Sequence, residues 1–184
     1  MRWLFEVASL LVGSAGAALP APAAAQASRP NTRAIDPAWL RADAATTTAE
    51  FDLIAGLTGL NGALNFNGYR DGELTLTVPL GWTVVMHFTN RDGDLPHSAE
   101  VISEVTPVPI ASVPAAFDRA FTIRLEQGIQ HGDTDDIRFV ANKEGSFLVF
   151  CAVPGHGAAG MWIRLTVSGS ARTASLSASP SGGS

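Results

Sequence analysis

The sequence has little positive charge and a single cysteine, and both shortages exclude functions. Lysine occurs once, at Lys143, and no stretch of the chain concentrates basic residues. A nucleic-acid-binding protein needs a basic patch to contact phosphates, so we expect no nucleic-acid partner. Beyond the N-terminal region, no apolar run reaches the roughly 18 residues that a membrane-spanning helix requires.

The N-terminal segment has the pattern of a secretory signal. Arg2 precedes an apolar stretch, and residues 25–27 read Ala-Gln-Ala, a small-x-small cleavage pattern. We therefore predict that residues 1–27 are a signal peptide and that the protein is exported to the periplasm. If the segment is not cleaved, it would instead associate the protein with the membrane.

The remainder predicts one packed domain, because 46% of the residues are hydrophobic and only 16% are charged. Residues 28–45 form a lead-in with a short helix predicted over 38–45. Residues 46–168 hold about eight short runs of alternating apolar and polar residues with turn residues between them, which favours an all-β sandwich. One run is 121–125, with Phe121, Ile123 and Leu125 on one face. Residues 169–184 are predicted to be a disordered tail.

The solitary cysteine requires an explanation, because exported proteins usually carry cysteines in pairs. Cys151 could be an inert buried thiol, an intermolecular disulfide partner, a nucleophile or a metal ligand. It ends one predicted strand, Met161 begins the next, and His156 lies five residues from each. A loop between two strands can bring these side chains together, and thiolate, imidazole and thioether suit both oxidation states of copper. Together the three residues predict a copper site.

A second histidine must come from elsewhere in the fold. His97 is the best candidate, because it follows the turn at 92–96 and opens a predicted strand. His87 lies on the polar face of the predicted strand 83–90, and His131 lies in a polar loop, so both are interpreted as surface residues. The predicted copper ligands are His97, Cys151, His156 and Met161.

The segment 151–162 reads Cys-Ala-Val-Pro-Gly-His-Gly-Ala-Ala-Gly-Met-Trp and closely resembles the copper loop of sulfocyanins. Its ligand spacing also matches that of rusticyanins. Similar segments at 65–68, 78–90 and 95–97 extend the resemblance over roughly residues 46–167. The resemblance implies a cupredoxin-type Greek-key β-sandwich that holds one type 1 copper. Ser98 stands where sulfocyanins are expected to have Asn, and its N–H and hydroxyl are predicted to lie close to the Cys151 sulfur.

These features predict an electron-transfer protein rather than an enzyme. One electron would pass through His156 to and from redox protein partners such as a cytochrome or a terminal oxidase. The docking surface would be a small apolar patch formed by Pro154, Gly155, Gly157, Ala158 and Ala159. We expect a monomer without a small-molecule substrate. A copper carrier or storage protein, a copper-dependent oxidoreductase subunit and a metal-free binding module are the alternatives.

Overall fold

Alternating inward and outward side chains along short strands produce a sandwich of two β-sheets in the computed structural model, which describes residues 34–179. The strands of this part of the chain are β1 (Leu40–Asp43), β2 (Thr48–Ala55), β3 (Leu74–Pro79), β4 (Thr83–Asn90), β5 (Glu100–Ser103), β6 (Thr134–Val140), β7 (Gly145–Phe150), β8 (Trp162–Ser168) and β9 (Ser175–Ala178). One sheet has the order β1-β2-β4-β6, and the other has the order β5-β7-β8-β3-β9. The all-β class predicted from the sequence is confirmed.

The core lies between the sheets and follows from the alternation along each strand. In β3, Leu74, Leu76 and Val78 are fully buried, while the threonines between them are partly exposed. β8 has the same pattern, with Ile163 and Leu165 inward. Along these strands every second side chain points into the apolar layer between the sheets, so the two sheets share one continuous core.

A smaller apolar cluster covers the outer face of the second sheet. Its buried members are Ile102, Leu148, Phe150 and Ala152. Partly buried residues of the long loop after β5 pack on it. This cluster explains why β7 is apolar on both faces, as the sequence predicted for a central strand. It also leaves the outer face of β5 enclosed rather than exposed to water.

Sheet topology brings three chain segments together at one end of the sandwich, where strands begin and end. β7 and β8 are antiparallel neighbours, so the end of β7 lies beside the start of β8. β5 pairs antiparallel with the other side of β7, with Glu100 opposite Phe150. The residue after β7, the residue before β8 and the segment before β5 therefore meet at the same place.

The predicted helix over 38–45 is wrong beyond its first turn. Asp36 caps a single 3-10 turn, Pro37–Trp39, by accepting a hydrogen bond from the Ala38 N–H at 2.9 Å. The chain then continues as β1, antiparallel to β2. Pairing with β2 places Arg41 against the carboxylates of Glu50 and Asp52.

The disordered tail expected over 169–184 is contradicted in its first part. Strand β9 pairs antiparallel with β3, with Leu176 opposite Leu76. Leu176 packs against the core, and Ala174 is buried. β9 adds an edge strand beside β3, so hydrogen bonds to β3 satisfy one side of its backbone despite a composition typical of linkers. Residues 180–184 lie outside the described residues, as do the predicted signal segment 1–27 and residues 28–33.

The strand predicted over 121–125 is also wrong. Phe121 makes one isolated bridge with Glu100, and both Phe121 and Ile123 are largely exposed, at 43% and 58%. Thr122, between them, is the buried residue, and its hydroxyl accepts a hydrogen bond from the Ala99 N–H at 3.1 Å. The alternation is real, but the polar residue points inward.

Within residues 34–179, no helix is long and apolar enough to cross a membrane.

Candidate metal centre

The loop between β7 and β8 holds its chemically active side chains in place with its own backbone. The Cys151 N–H donates to the Met161 carbonyl at 3.0 Å, and the Met161 N–H donates to the His156 carbonyl at 3.0 Å. These bonds close a compact turn between the end of β7 and the start of β8. The turn fixes the spacing of the three residues that the sequence singled out.

Neighbouring loops fix the same turn from outside. The Asn61 side-chain amide donates to the Ala159 carbonyl at 2.8 Å. The Gly155 N–H donates to the Ile110 carbonyl at 2.7 Å, and the Asp71 N–H donates to the Gly160 carbonyl at 2.9 Å. Gly157 is needed where the turn crosses the sheet, because a Cβ there would lie 2.5 Å from the Phe150 ring. The conformation of the loop is therefore held by hydrogen bonds and packing from several directions.

Three donor atoms from His97, Cys151 and His156 lie together at this end of the sandwich. The Cys151 Sγ is 3.8 Å from the His97 Nδ1 and 3.6 Å from the His156 Nδ1. The two Nδ1 atoms are 3.2 Å apart. His97, placed by a bridge to Ile129 just before β5, is thus brought to the loop residues across more than fifty positions of sequence.

These separations fit one metal ion in the plane of the three donors. With bonds of about 2.0 Å to nitrogen and about 2.3 Å to sulfur, a trigonal plane puts the nitrogens roughly 3.5 Å apart. The same geometry puts each nitrogen roughly 3.7 Å from the sulfur. Two imidazoles and a thiolate in a plane are the donor set of blue-copper sites, which add a weak axial thioether. Met161 is fully buried in the same core cluster as Cys151.

Burial also sets the protonation states of the donors. Burial raises the pKa of the Cys151 thiol to about 11, although the N–H groups of Ser98 and Val153 act in the opposite direction. Burial, and next the neighbouring His97, lowers the pKa of His156 to about 4. Burial likewise lowers the pKa of His97. Both imidazoles are therefore neutral near pH 7, and the thiol must lose its proton when a metal binds.

Ser98 lies where the sequence predicted, against the cysteine sulfur. Its backbone N–H points at the Cys151 Sγ at 3.4 Å, and its Oγ is 3.9 Å from the same atom. The Oγ also accepts a hydrogen bond from the Ala152 N–H at 3.1 Å, which orients the hydroxyl. Ser98 is fully buried. The sulfur thus has a fixed donor beside it.

Asp92 is a residue of the site that sequence reasoning missed. Its Oδ2 lies 2.8 Å from the His97 Nε2, on the side of the ring away from the cysteine. Burial opposes its charge, but hydrogen bonds from Asp94, His97 and Leu95 outweigh this and lower the pKa of Asp92. In sequence it is one acidic residue of a turn, and only its position five residues before a ligand candidate hinted at this contact.

The other two histidines lie outside the cluster. His87 projects from β4 beside Asp136, and its side chain is 37% exposed. His131 is exposed in the loop before β6, with its Nδ1 3.1 Å from the Asp92 carbonyl oxygen. Their surface positions agree with the sequence interpretation.

The surface beside the cluster is small and apolar. His156 is partly exposed, and Pro154, Ala158 and Ala159 are exposed around it. Gly157, predicted to belong to this patch, is buried instead, because it packs against the outer face of the sheet. Ile110, from the loop after β5, joins the patch through its bond to Gly155 and is 69% exposed.

Comparison with known proteins places these features in context. The sequence profile of the sulfocyanin (SoxE) domain matches residues 38–176. A sulfocyanin of Sulfolobus acidocaldarius is 32% identical over 111 residues, which cover 56% of this chain and 55% of that protein. The chain therefore spans about half the length of this curated relative.

Solved structures with a similar fold include rusticyanins. A methionine-to-glutamine variant of rusticyanin superposes with a TM-score of 0.54 at 22% identity, over 66% of this chain and 78% of that one. Reduced rusticyanin gives a TM-score of 0.51 at 22% identity, over 66% and 85% of the respective chains. At this identity the likeness concerns the fold, and it confirms the cupredoxin-type sandwich.

Proposed function

Because the chain belongs to the sulfocyanin domain family, we propose that it carries single electrons on one type 1 copper. The ligands would be His97, Cys151, His156 and Met161. The observation that carries this proposal is the convergence of one thiol and two neutral imidazole nitrogens within 3.8 Å of one another. When bound, copper supplies a centre that alternates between Cu(I) and Cu(II) with little change in its ligands.

The protein's part is to hold that ligand set rigid. The backbone bonds from Cys151 to Met161 and from Met161 to His156 keep the loop in one conformation. Cys151 and His97 are fully buried, so water is excluded from their side of the site. A rigid, dry ligand set limits the reorganisation that accompanies gain or loss of an electron.

Electron exchange would take place through His156, whose ring is partly exposed at the protein surface. The exposed side chains around it are Pro154, Ala158, Ala159 and Ile110. A small apolar surface of this kind suits weak and short-lived docking of another redox protein. We propose a cytochrome or a terminal oxidase as partner, with this chain acting as a monomer in the periplasm and performing no catalysis of its own.

The test is the absorption and EPR spectrum of the copper-loaded protein. We expect an intense visible thiolate-to-Cu(II) band and the narrow copper hyperfine splitting of a type 1 site. Cys151→Ala should lose the band and remain a folded β-sandwich, because the core holds the fold. Ser103→Ala, an exposed serine on β5, is the control and should keep the band. A wild-type protein without the band would refute the proposal.

A kinetic measurement separates an electron carrier from a copper carrier. The oxidised protein, mixed with a reduced c-type cytochrome, should accept electrons rapidly and keep its copper in the presence of a Cu(I) chelator. Rapid loss of copper to the chelator without electron exchange would favour a carrier or storage role instead.

A further inference from the structure

Asp92 uses both of its carboxylate oxygens inside the protein. Its Oδ1 accepts hydrogen bonds from the Asp94 N–H at 3.0 Å and from the Leu95 N–H at 3.3 Å. Its Oδ2 faces the His97 Nε2 at 2.8 Å. The side chain of Asp92 is only 5% exposed, and that of His97 is fully buried. This is a fixed contact, not an exposed ion pair that solvent would weaken.

The turn that carries Asp92 is itself held in place. The Asn90 side-chain amide donates to the carbonyls of Leu95 at 2.9 Å and of Ile129 at 2.8 Å. Its Oδ1 accepts from the Asp92 N–H at 2.9 Å. Gly56 lies against the turn, and a Cβ there would come within 2.6 Å of the Asp92 Cβ. The position of the carboxylate is therefore set by the surrounding chain and not by the histidine alone.

A carboxylate in this position determines the tautomer of His97. An ionised carboxylate can only accept, so the proton of the neutral ring must lie on Nε2. Nδ1 is then unprotonated, and it is the atom that lies 3.8 Å from the Cys151 Sγ and 3.2 Å from the His156 Nδ1. The ring is presented to the metal site in its ligand form before any metal arrives.

We propose that Asp92 is a positioning residue that fixes His97 as an Nδ1 ligand and strengthens it as a donor to Cu(II). This inference rests on the proposed function. A negative charge behind an imidazole raises the ring's basicity, which favours the more highly charged copper ion. It acts against the Ser98 N–H, which withdraws electron density from the cysteine sulfur. The reduction potential of the site would thus reflect two opposed contacts. The Asp92 carboxylate on His97 would lower it, and the Ser98 N–H on the Cys151 sulfur would raise it.

The isosteric variant Asp92→Asn tests this directly. Both N–H donors of the turn still need an acceptor, so the amide oxygen should stay with Asp94 and Leu95. The amide NH2 then faces the His97 Nε2 and favours the opposite tautomer, with the proton on Nδ1. We expect Cu(II) affinity to fall by about 10- to 100-fold. Cu(I) affinity should fall less, so the reduction potential should rise.

Asp94→Asn is the matched control, because it removes the same charge from the same turn. Asp94 is exposed, and none of its described side-chain contacts reaches His97. It should leave both affinities and the potential near those of the wild type. Equal shifts in the two variants would overturn the proposal, since they would show a general effect of charge.

The metal-free protein provides a readout that needs no copper. Long-range ¹H–¹⁵N NMR of the wild type should show His97 with its proton on Nε2, and Asp92→Asn should show the proton wholly or partly on Nδ1. A wild-type His97 protonated on Nδ1 would refute the positioning role. This measurement decides the role of Asp92 even if the protein fails to bind copper, which would refute the proposed function separately.

Discussion

The protein contains two histidine–carboxylate contacts of the same length in opposite surroundings. His97 Nε2 lies 2.8 Å from Asp92, with side chains 0% and 5% exposed. His87 Nδ1 lies 2.8 Å from Asp136, with side chains 37% and 67% exposed. Water solvates and screens the exposed His87–Asp136 pair. No water reaches the buried His97–Asp92 pair to compete with its hydrogen bond. The distance is the same, so the two contacts differ in their burial, and only the buried contact involves a member of the donor cluster.

The strongest way to break this comparison is to remove each histidine. His97→Ala should abolish the type 1 spectrum, because one of the three clustered donors that would hold copper is lost. His87→Ala should leave the spectrum unchanged, since its ring projects from the outer face of β4. The measurement is the visible and EPR spectrum of each copper-loaded variant.

His131→Ala extends that test to a histidine nearer the site. Its ring contacts the Asp92 carbonyl and not the carboxylate, so the spectrum should again persist. A spectrum altered as strongly by His87→Ala as by His97→Ala would contradict the contrast between buried and exposed histidines.

The comparison is sharpened by Met161, a fully buried candidate ligand that is expected to tune the metal and not to retain it. Met161→Gln should keep copper and lower the reduction potential, because a thioether favours Cu(I) more than an amide oxygen does. The shift should exceed that of any Ser98 variant. Voltammetry of the copper-loaded protein measures it, and a variant unable to bind copper would show that Met161 is required to hold the ion.

Sequence reasoning succeeded where a contact depends on short-range spacing. Cys151 and His156 lie in one loop between two strands, so the approach of the thiol to the imidazole was predictable from the chain alone. The assignment of these residues and of Met161 as copper ligands stays a prediction. The sulfocyanin resemblance and copper as the family's cofactor are confirmed by the family match. The two-sheet sandwich is confirmed by the strand order, and its cupredoxin type by the fold similarity to rusticyanin.

It failed where burial depends on distant segments. Asp92 reads as an ordinary turn residue, and its contact with His97 exists because Gly56 and Asn90 hold the turn against β2 and β4. Strand β9 has a linker composition and forms because the edge of β3 is available to pair with it. Glu100 reads as the polar position of a strand, yet the loop after β5 covers it completely. None of these tertiary effects leaves a local pattern.

Glu100 offers the same contrast between buried and exposed groups in the stability of the fold. Its Oε1 accepts from the Ser112 hydroxyl at 3.3 Å, and its Oε2 is buried without a hydrogen-bond partner among the described residues. Burial raises the pKa of Glu100 above its ordinary value of 4.5. The folded state therefore favours the protonated carboxyl, and the stability gained is complete below pH 4.5 and lost as the pH rises through the raised pKa.

Glu100→Gln should remove this pH dependence, because the amide keeps the shape and an acceptor for Ser112 but cannot ionise. Urea unfolding at several pH values measures it, and each unit by which the pKa is raised adds about 1.4 kcal/mol to the total stability lost between low and high pH. Glu104→Gln is the control, since Glu104 is exposed and pairs with Arg164. The prediction fails if the Glu100 variant loses as much stability with rising pH as the wild type does.

The smallest expected effect concerns Ser98, which has two contacts with the sulfur that differ in strength. Its backbone N–H, at 3.4 Å from the Cys151 Sγ, survives any side-chain substitution, whereas its Oγ, at 3.9 Å, is a weaker contact. Ser98→Ala removes only the hydroxyl, so the reduction potential should fall by tens of millivolts while the visible band remains. The loss also leaves the buried Ala152 N–H without its acceptor, which should lower the unfolding free energy by about 1–3 kcal/mol. Voltammetry and thermal unfolding of Ser98→Ala beside Ser103→Ala separate the two effects. A potential that is unchanged or raised would show that the hydroxyl orients the loop without acting on the sulfur.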